Sequence, residues 1–261
     1  MTTDPTAMRY AGIDIGSRTI KLVVVDTSGT ILETCLSDTG FDPMAAASAL
    51  IEKVSFDKIM ATGYGRNLFE LSFDAPTVTE IKAHARGAWT EFPDARTVLD
   101  IGGQDSKAIA LFDNGRVKKF EMNDRCAAGT GKFLEIMAAT LGFDMKTFGS
   151  QALAAEKDLS ISSMCTVFAE SEVTSLIARG EDRKEIARGL HVSVIRRAAS
   201  MINRVSSNGP IVFTGGVAKN PCLVELLSGK LEREIRIPSD PQLAGAYGAA
   251  LLAVDRCLGC R

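Results

Sequence analysis

Short apolar runs separated by polar and glycine-rich turns fill the first half of the chain. Residues Tyr10–Ile13 and Leu22–Val25 are apolar or β-branched, and a polar turn signal follows at positions 26–29. The same order recurs further on, with apolar runs at Thr97–Leu99 and Ala108–Phe112 and another turn that contains Asp, Asn and Gly. Apolar runs of this length that are bounded by turn residues predict β-strands joined in hairpins.

The second half of the chain combines helical patterns with one further strand. Apolar residues recur at helical spacing from Phe133, the long segment Asp182–Ser206 is amphipathic, and Leu243–Cys257 is a candidate C-terminal helix. Between the last two, Pro210–Phe213 is an apolar strand candidate that leads into a helical run ending near Gly229. Strands that mix with helices in this way predict an α/β fold.

An internal repeat links the two sets of strands. The segment Asp14–Lys21 reads DIGSRTIK, and Asp100–Lys107 reads DIGGQDSK. Each copy follows a strand candidate, ends in lysine and leads into a second strand and a turn. A match of motif, flanking strands and turn together indicates a duplicated unit.

The repeated segments have the composition of phosphate-binding hairpins. Glycine leaves the backbone bare, so amide N–H groups can approach phosphate oxygens. Hydroxyl groups add neutral donors, and an aspartate at a strand end can hold Mg²⁺ through water because that ion prefers hard oxygen ligands. The residues concerned are Asp14, Gly16, Ser17 and Thr19 in the first copy and Asp100, Gly102, Gly103 and Ser106 in the second. The alternative is that Asp-Ile-Gly starts a tight hairpin twice without binding a ligand.

A third glycine-rich element, Thr214–Asn220 (TGGVAKN), lies between a strand candidate and a helix. Glycines at such a junction let a flat nucleoside lie against the backbone, and a helix N-terminus favours an anion. We therefore expect this element to contact adenosine. The sequence has no complete P-loop, because the segment Gly129–Lys132 is followed by Phe133 and lacks the upstream glycine. No G-x-G-x-x-G follows a strand either.

Two cysteines, Cys126 and Cys165, are predicted at helix starts, just before or within the first turn. A thiol at a helix N-terminus has a lowered pKa, so each could act as a nucleophile, a redox thiol or a metal ligand. The alternative for either one is a small buried apolar side chain. Two thiolates do not complete a 4Fe–4S cluster, which usually takes four, but a symmetric dimer would supply the other two.

Composition and charge exclude several other classes of protein. The chain has 261 residues, and 30 Lys+Arg against 32 Asp+Glu give a net charge of −2, which argues against a nucleic-acid binder. It has no apolar run long enough to span a membrane and no signal-peptide pattern, so we expect a cytoplasmic protein. Cytosolic thiols stay reduced, so the six cysteines are not expected to form disulfides, and with two histidines a His-rich metal site is not expected.

The two hairpins and the TGG element together resemble the acetate kinase/sugar kinase/Hsp70/actin superfamily. Further blocks narrow the resemblance to the BadF/BadG/BcrA/BcrD ATPase family, and within it to the activators (component A) of 2-hydroxyacyl-CoA dehydratases. These blocks are ATGYGRN at 61–67, DIGGQDSK at 100–107, NDRCAAGTGKF at 123–133, SSMCTVFAESEV at 162–173 and TGGVAKN at 214–220. They extend over nearly the whole chain.

The resemblance implies an architecture of two ribonuclease-H-like lobes, as in actin-like ATPases, with ATP and Mg²⁺ in the cleft between them. We expect lobe I over residues 1–92 plus 243–261, and lobe II over residues 93–242. It also implies an oxygen-sensitive homodimer with one 4Fe–4S cluster between the subunits. ATP hydrolysis would be coupled to delivery of one low-potential electron to an iron–sulfur acceptor enzyme. Ferredoxin or flavodoxin would be the electron donor, and neither nucleic acid nor a membrane would be a partner.

The resemblance also assigns individual residues. Cys126 and Cys165 match the cluster ligands, Asp14 and Asp100 match the Mg²⁺ site, and Gln104 is the candidate for orienting the attacking water, because a neutral amide avoids repulsion by phosphate. Asp14, Asp100 and Gln104 are thus the predicted catalytic residues. The predicted nucleotide-binding residues are Gly16, Ser17, Arg18, Lys21, Gly102, Gly103, Gln104, Asp105, Gly129, Thr130, Gly131, Gly215, Gly216, Val217 and Asn220.

Two other activities fit the same superfamily. One is an activator that reduces another acceptor, such as a benzoyl-CoA reductase or a double-cubane-cluster protein. The other is a small-molecule kinase, which has no reason to keep two helix-start cysteines. Among the remaining residues, Glu170 could cap its helix or reach the water, and the tail pair Cys257 and Cys260 is expected to be incidental. The arginines of the amphipathic segment, Arg188, Arg196, Arg197 and Arg204, are expected on a solvated face.

Overall fold

The computed structural model describes residues 8–157, 159–161, 165–206 and 208–259. Within them the strands are β1 Tyr10–Ile15, β2 Thr19–Val25, β3 Ile31–Asp38, β4 Lys58–Thr62, β5 Thr97–Ile101, β6 Ser106–Leu111, β7 Val117–Asn123, β8 Ile211–Thr214 and β9 Ile235–Arg236. The α-helices are α1 Pro43–Ile51, α2 Arg66–Phe73, α3 Glu80–Glu91, α4 Gly131–Leu141, α5 Met145–Leu153, α6 Thr166–Ala178, α7 Arg183–Val205, α8 Pro221–Leu231 and α9 Ala244–Cys257. A short 3₁₀ helix covers Gly216–Lys219.

The chain divides into two compact units, each with its own sheet. Unit 1 comprises Met1–Asp94, Leu111–Val117 and Pro238–Arg261, and unit 2 comprises Ala95–Ala110 and Lys118–Ile237. The expected lobe boundaries at positions 92 and 242 lie a few residues from these divisions. The expectation also left the turn 111–117 with the second lobe, whereas the structure groups it with unit 1.

Unit 1 contains a four-stranded sheet in the order β3-β2-β1-β4. Strands β1 and β2 form an antiparallel hairpin, and β4 lies parallel to β1 on its other side. Every residue of β1 is buried, as expected for a central strand that is covered on both faces.

Helix α9 packs against this sheet through glycine rather than through large side chains. A Cβ atom at Gly12 of β1 would lie 2.0 Å from the carbonyl oxygen of Ala246. Where α9 meets α3, a Cβ at Gly248 would lie 1.8 Å from the carbonyl oxygen of Ala83. The backbones therefore touch directly, and a side chain at either glycine would force the elements apart.

Unit 2 repeats the arrangement, with a sheet in the order β7-β6-β5-β8-β9. Strands β5 and β6 are antiparallel, and β8 lies parallel to β5, as β4 does to β1. The main difference is the large apolar core that α4, α5, α7 and α8 build on this sheet. The α/β fold expected from the sequence is confirmed. None of the described helices is long and apolar enough to cross a membrane.

A buried histidine joins three helices of unit 2. His191 of α7 is inaccessible to solvent, and its ring centroid lies 4.7 Å from that of Phe148 in α5. Its Nδ1 lies 2.7 Å from the carbonyl oxygen of Ala187, and its Nε2 lies 2.9 Å from Nδ2 of Asn220. The Asn220 amide oxygen accepts backbone N–H groups of α8, so its Nδ2 faces the ring as a donor. The imidazole is therefore neutral, with its proton on Nδ1.

This environment predicts a loss of stability in mild acid. Burial lowers the pKa of His191 from 6.5 to about 4, although the hydrogen bond to Ala187 acts in the opposite direction. As the pH falls from about 6.5 towards 4, His191 binds a proton in the unfolded chain but not in the folded chain, so folding becomes less favourable. Between about pH 7.5 and pH 5.5 the loss should be roughly 1 kcal/mol of unfolding free energy.

Urea unfolding of the full chain at both pH values measures this loss. His191→Gln should be less stable than the wild type at pH 7.5, because the core is disturbed, yet it should lose less stability on acidification. His84 is present in both proteins and contributes equally to both. An equal loss in wild type and variant would contradict the assignment.

Candidate functional site

The first hairpin holds a buried ion pair at its base. Asp14 lies near the end of β1, next to the turn, and is opposite Lys21 of β2. Its Oδ2 is 3.1 Å from the lysine Nζ. The turn itself is closed by the Gly16 N–H, which donates to the carbonyl oxygen of Thr19. Ser17 is half-buried and Arg18 is exposed in this turn. The predicted phosphate residues of unit 1 are therefore adjacent, with the carboxylate and the ammonium already paired.

The second hairpin repeats this geometry in unit 2. Asp100 lies opposite Lys107, and its Oδ2 is 3.3 Å from the lysine Nζ. Lys107 is 2% exposed and also contacts Oδ2 of Asp105 at 2.6 Å, so this buried ammonium is held between two carboxylates. Gly102 closes the turn by donating to the carbonyl oxygen of Asp105. Gln104 is exposed at the tip of the hairpin.

The structural repeat extends further than the sequence analysis indicated. Thr62 ends β4 beside Asp14, and Thr214 ends β8 beside Asp100. Each threonine is followed by a glycine in the left-handed region, Gly63 with φ 93° and Gly215 with φ 88°. A Cβ at Gly63 would lie 2.5 Å from the Asp14 carboxylate, and the corresponding distance from Gly215 to the Asp100 carboxylate is 2.9 Å. The shared Thr-Gly dipeptide was the signal that could have revealed this counterpart.

The two copies differ in how this threonine is used. The Thr214 hydroxyl donates to Oδ1 of Asp100 at 3.0 Å. The Thr62 hydroxyl is buried and has no hydrogen-bond partner among the residues that the structure describes. An unsatisfied buried hydroxyl costs about 1–3 kcal/mol, so a polar ligand or water fits beside Asp14 better than an apolar environment does.

Helix α4 begins directly on the second hairpin. The Gly131 N–H donates to the carbonyl oxygen of Gly102 at 2.9 Å, and the Lys132 N–H donates to that of Gly103 at 2.8 Å. A Cβ at Gly131 would lie 3.1 Å from the Gly102 oxygen and 3.4 Å from Cγ2 of Val217. These predicted nucleotide-binding residues are brought together, but the Gly131 amide already has a partner in the hairpin.

The segment before α4 is tied down by its own side chains. The Thr130 hydroxyl donates to the carbonyl oxygen of Ala127. Gly129 is buried, and its φ of 96° marks a left-handed turn that favours glycine. The segment Gly129–Gly131 thus holds α4 to the hairpin.

The TGGVAKN element forms the junction of β8, the 3₁₀ helix and α8. Gly215 allows close approach to β5, because a Cβ there would lie 2.2 Å from the carbonyl oxygen of Ile101. Asn220 caps α8 by accepting the N–H groups of Cys222 and Leu223, and its Nδ2 faces His191. These contacts already use both ends of the Asn220 amide. Its predicted contact with adenosine stays a prediction.

Cys126 is exposed in the loop between β7 and α4. The sequence placed it just before or within the first turn of a helix, but α4 begins only at Gly131 and its N-cap is Thr130. The loop is nevertheless ordered by Asn123, whose Oδ1 accepts the Cys126 N–H at 3.3 Å and whose Nδ2 donates to the Cys126 carbonyl at 2.9 Å. This two-point clamp orients the backbone that carries the thiol.

Cys165 is the N-cap residue of α6 and is also exposed. Residues 162–164, the SSM of the SSMC block, lie outside the described residues. The next residues, Val167 and Phe168, are 66% and 68% exposed, which is unusual for large apolar side chains side by side. Glu170 is exposed on the same helix.

Arg197 of α7 lies against the Cys126 loop and was missed in the sequence analysis. Its Cδ is 3.4 Å from the Cβ position of Gly129, and its Nη1 is buried. Burial lowers the pKa of Arg197, the charge of Cys126 acts in the opposite direction, and Arg196 lowers it further. The expectation that Arg197 lies on a solvated face is therefore wrong. Arg196 is exposed, and Arg204 pairs with Glu121.

The other cysteines do not form a recognisable site. Cys222 is buried, Cys35 is half-buried, and Cys257 is exposed, where its sulfur accepts a hydrogen bond from the Tyr10 hydroxyl and thereby raises the pKa of Tyr10. Cys260 lies outside the described residues. Within the described ranges, no group of three or more His, Cys, Asp or Glu side chains could hold a metal ion.

Comparison with solved structures gives close matches over nearly the whole chain. The (R)-2-hydroxyglutaryl-CoA dehydratase component A of Acidaminococcus fermentans superposes with a TM-score of 0.89 at 38% identity, covering 96% of this chain and 99% of that one. The activator of the 2-hydroxyisocaproyl-CoA dehydratase from Clostridium difficile, with bound ADPNP, gives 0.86 at 38% identity, covering 97% and 96%.

Sequence comparison agrees with the structural matches. The 2-hydroxyisocaproyl-CoA dehydratase activator of Clostridioides difficile is 40% identical over 259 residues, which is 95% of this chain and 96% of that protein. The family model of the BadF/BadG/BcrA/BcrD ATPases matches residues 11–253. The expected resemblance and the actin-like two-sheet fold are confirmed, and the chain belongs to the BadF/BadG/BcrA/BcrD ATPase family.

Proposed function

We propose that this protein is an ATP-dependent activator that passes one low-potential electron to an iron–sulfur acceptor enzyme, a 2-hydroxyacyl-CoA dehydratase. The observation that carries the proposal is the direct connection, within unit 2, between a phosphate-type hairpin and a loop with an exposed thiol. Backbone hydrogen bonds from Gly131 and Lys132 to the hairpin make that connection. The names of the similar activators, and ADPNP bound to one of them, support the same function.

ATP binding rests on both hairpins. The bare amides at Gly16, Gly102 and Gly103 suit phosphate oxygens, and Lys21 can exchange its contact with Asp14 for a phosphate. Asp14 and Asp100 would hold Mg²⁺ through water, and the buried Thr62 hydroxyl beside Asp14, which has no partner among the described residues, fits such a hydrated site. Gln104, exposed at the hairpin tip, orients the attacking water. Gly215, Gly216 and Val217 form the floor for adenosine.

The exposed thiols of Cys126 and Cys165 fit a 4Fe–4S cluster shared by a homodimer. Cys126 and Cys165 would supply two thiolates from each subunit, and the cluster would supply one-electron chemistry at low potential. The helix dipole at the N-cap Cys165 favours added negative charge there. A second copy of the chain would also cover Val167 and Phe168, which a monomer leaves in water.

Backbone hydrogen bonds would couple the nucleotide to the loop that carries the Cys126 thiol. A phosphate that moves the Gly102–Gly103 turn also moves the first turn of α4, because the hydrogen bonds between them must be kept. The Cys126 loop precedes that turn and follows its shift. Nucleotide state thereby biases the position of a cluster ligand. Ferredoxin or flavodoxin would reload the electron in the cytoplasm, without nucleic acid or a membrane as partner.

Anaerobic reconstitution tests the function as a whole. Iron analysis should give about four iron atoms per dimer, and the visible spectrum should show broad Fe–S absorbance, which a plain kinase lacks. The loaded protein should reduce a 2-hydroxyacyl-CoA dehydratase only when ATP is present. An iron-free protein that phosphorylates a small molecule would support the kinase instead.

Gln104→Ala should slow ATP hydrolysis by about tenfold or more, which corresponds to about 1.4 kcal/mol in the barrier, while ATP binding changes little. The reason is that the amide acts on water rather than on the nucleotide. Steady-state phosphate release and equilibrium ATP binding measure the two effects separately. Asn114→Ala, which removes another exposed amide from a hairpin turn, is the matched control and should hydrolyse ATP at the wild-type rate. Unchanged turnover in Gln104→Ala removes this residue from the mechanism.

Cys165→Ala should abolish cluster binding and weaken dimerisation, because each subunit then offers one thiolate and the cluster no longer links the copies. ATP binding should persist, since the hairpins are intact. Anaerobic ultracentrifugation with iron analysis is the measurement. The double change of Cys257 and Cys260 to Ser controls for loss of thiols and should keep the full iron content. A Cys165→Ala protein with a complete cluster would rule out Cys165 as a ligand.

A further inference from the structure

The Cys126 loop packs against the side chain of Arg197. The stem of Arg197 fills the space beneath Gly129, three residues after Cys126, at 3.4 Å from the position of a Cβ. Gly129 has φ 96°, so the loop turns sharply over the arginine. The contact is between the side-chain stem and the backbone, and it holds Arg197 beside the loop that carries the thiol.

The guanidinium is shielded from water on one side. Its Nη1 is buried, while Cys126 is exposed. Charges that are partly withdrawn from water interact more strongly, because the effective dielectric constant is lower and salt screens them less. The packing of the Arg197 stem against Gly129 places this charge beside the segment that carries Cys126.

We propose that Arg197 is a positioning residue that raises the reduction potential of the cluster held by Cys126. The inference rests on the proposed function, since it needs the cluster. Reduction adds one negative charge to the cluster, and a fixed cation nearby stabilises the reduced form more than the oxidised form. Arginine suits this role because it remains protonated even when half-buried. Its neighbour Arg196 is exposed, so water and salt screen its charge.

The test compares Arg197→Gln, Arg197→Lys and Arg196→Gln in the full-length, anaerobically reconstituted dimer. Iron content and the midpoint potential, followed by visible and EPR spectra in a mediated titration, are the readouts. Arg197→Gln should lower the ratio of reduced to oxidised cluster about tenfold at a fixed potential, a shift of about 59 mV for a one-electron couple. Arg197→Lys keeps the charge and should stay near the wild-type potential. Arg196→Gln, the matched loss of one charge, should shift it much less.

The outcomes distinguish a failure of the role of Arg197 from a failure of the proposed function. A full cluster in Arg197→Gln with a potential no lower than in Arg196→Gln would overturn the role of Arg197 and leave the proposed function intact. If Arg197→Gln assembles no cluster, the test rests on Arg197→Lys. A wild-type midpoint potential in Arg197→Lys supports the role of charge, and a tenfold change in its ratio of reduced to oxidised cluster contradicts it. A wild-type protein without iron would overturn the proposed function and this inference together.

Discussion

The two hydrogen bonds between the start of α4 and the second hairpin are the constraint on which the rest of unit 2 depends. A helix N-terminus normally leaves its first amides to caps, water or ligands. Here Gly131 and Lys132 give theirs to the carbonyls of Gly102 and Gly103. A Cβ at residue 131 would lie 3.1 Å from the Gly102 oxygen, so glycine makes this close approach easier. The turn that resembles a phosphate site and the loop that carries Cys126 are thus two ends of one hydrogen-bonded piece of backbone. Any displacement of one end must be accommodated by the other.

Each unit contains the same ion pair, an aspartate paired with a lysine across a hairpin. The surroundings of this pair differ between the units. In unit 2 the Asp100 carboxylate is held by Lys107 and by the Thr214 hydroxyl, and Asp105 adds a second carboxylate to the lysine. Each polar group of that network has a protein partner, as buried polar groups usually do. In unit 1 the corresponding Thr62 hydroxyl is buried and unsatisfied within the described residues. The two copies thus differ in how many side chains hold the aspartate in the absence of a ligand.

Much of this could be predicted from the sequence, because the signals are local. The strands of both hairpins, the Asp-Ile-Gly repeat and the C-terminal helix follow from short-range patterns of apolar and turn residues. The start of α4 could not be placed in the same way, since it is set by contact with Gly102 in a distant hairpin. Arg197 sits at a position that reads as polar on α7, and only the tertiary contact with Gly129 buries it. Asn220 likewise looks like a ligand-binding amide until its helix and His191 are in place.

The electrostatic demands of the two sites explain why they can share one unit. Under the proposed function, phosphate groups would bring several negative charges to the Gly102 hairpin. The backbone connects that hairpin to a loop whose thiol would also carry negative charge when it binds metal. Lys107 cannot balance the second charge, because Asp100 and Asp105 already neutralise it. A separate cation beside the loop would meet that need. Helix α7 has one at Arg197, whose stem packs against Gly129 and whose Nη1 is buried. Separating the two cations lets each site hold its own negative charge without competing for the same side chain.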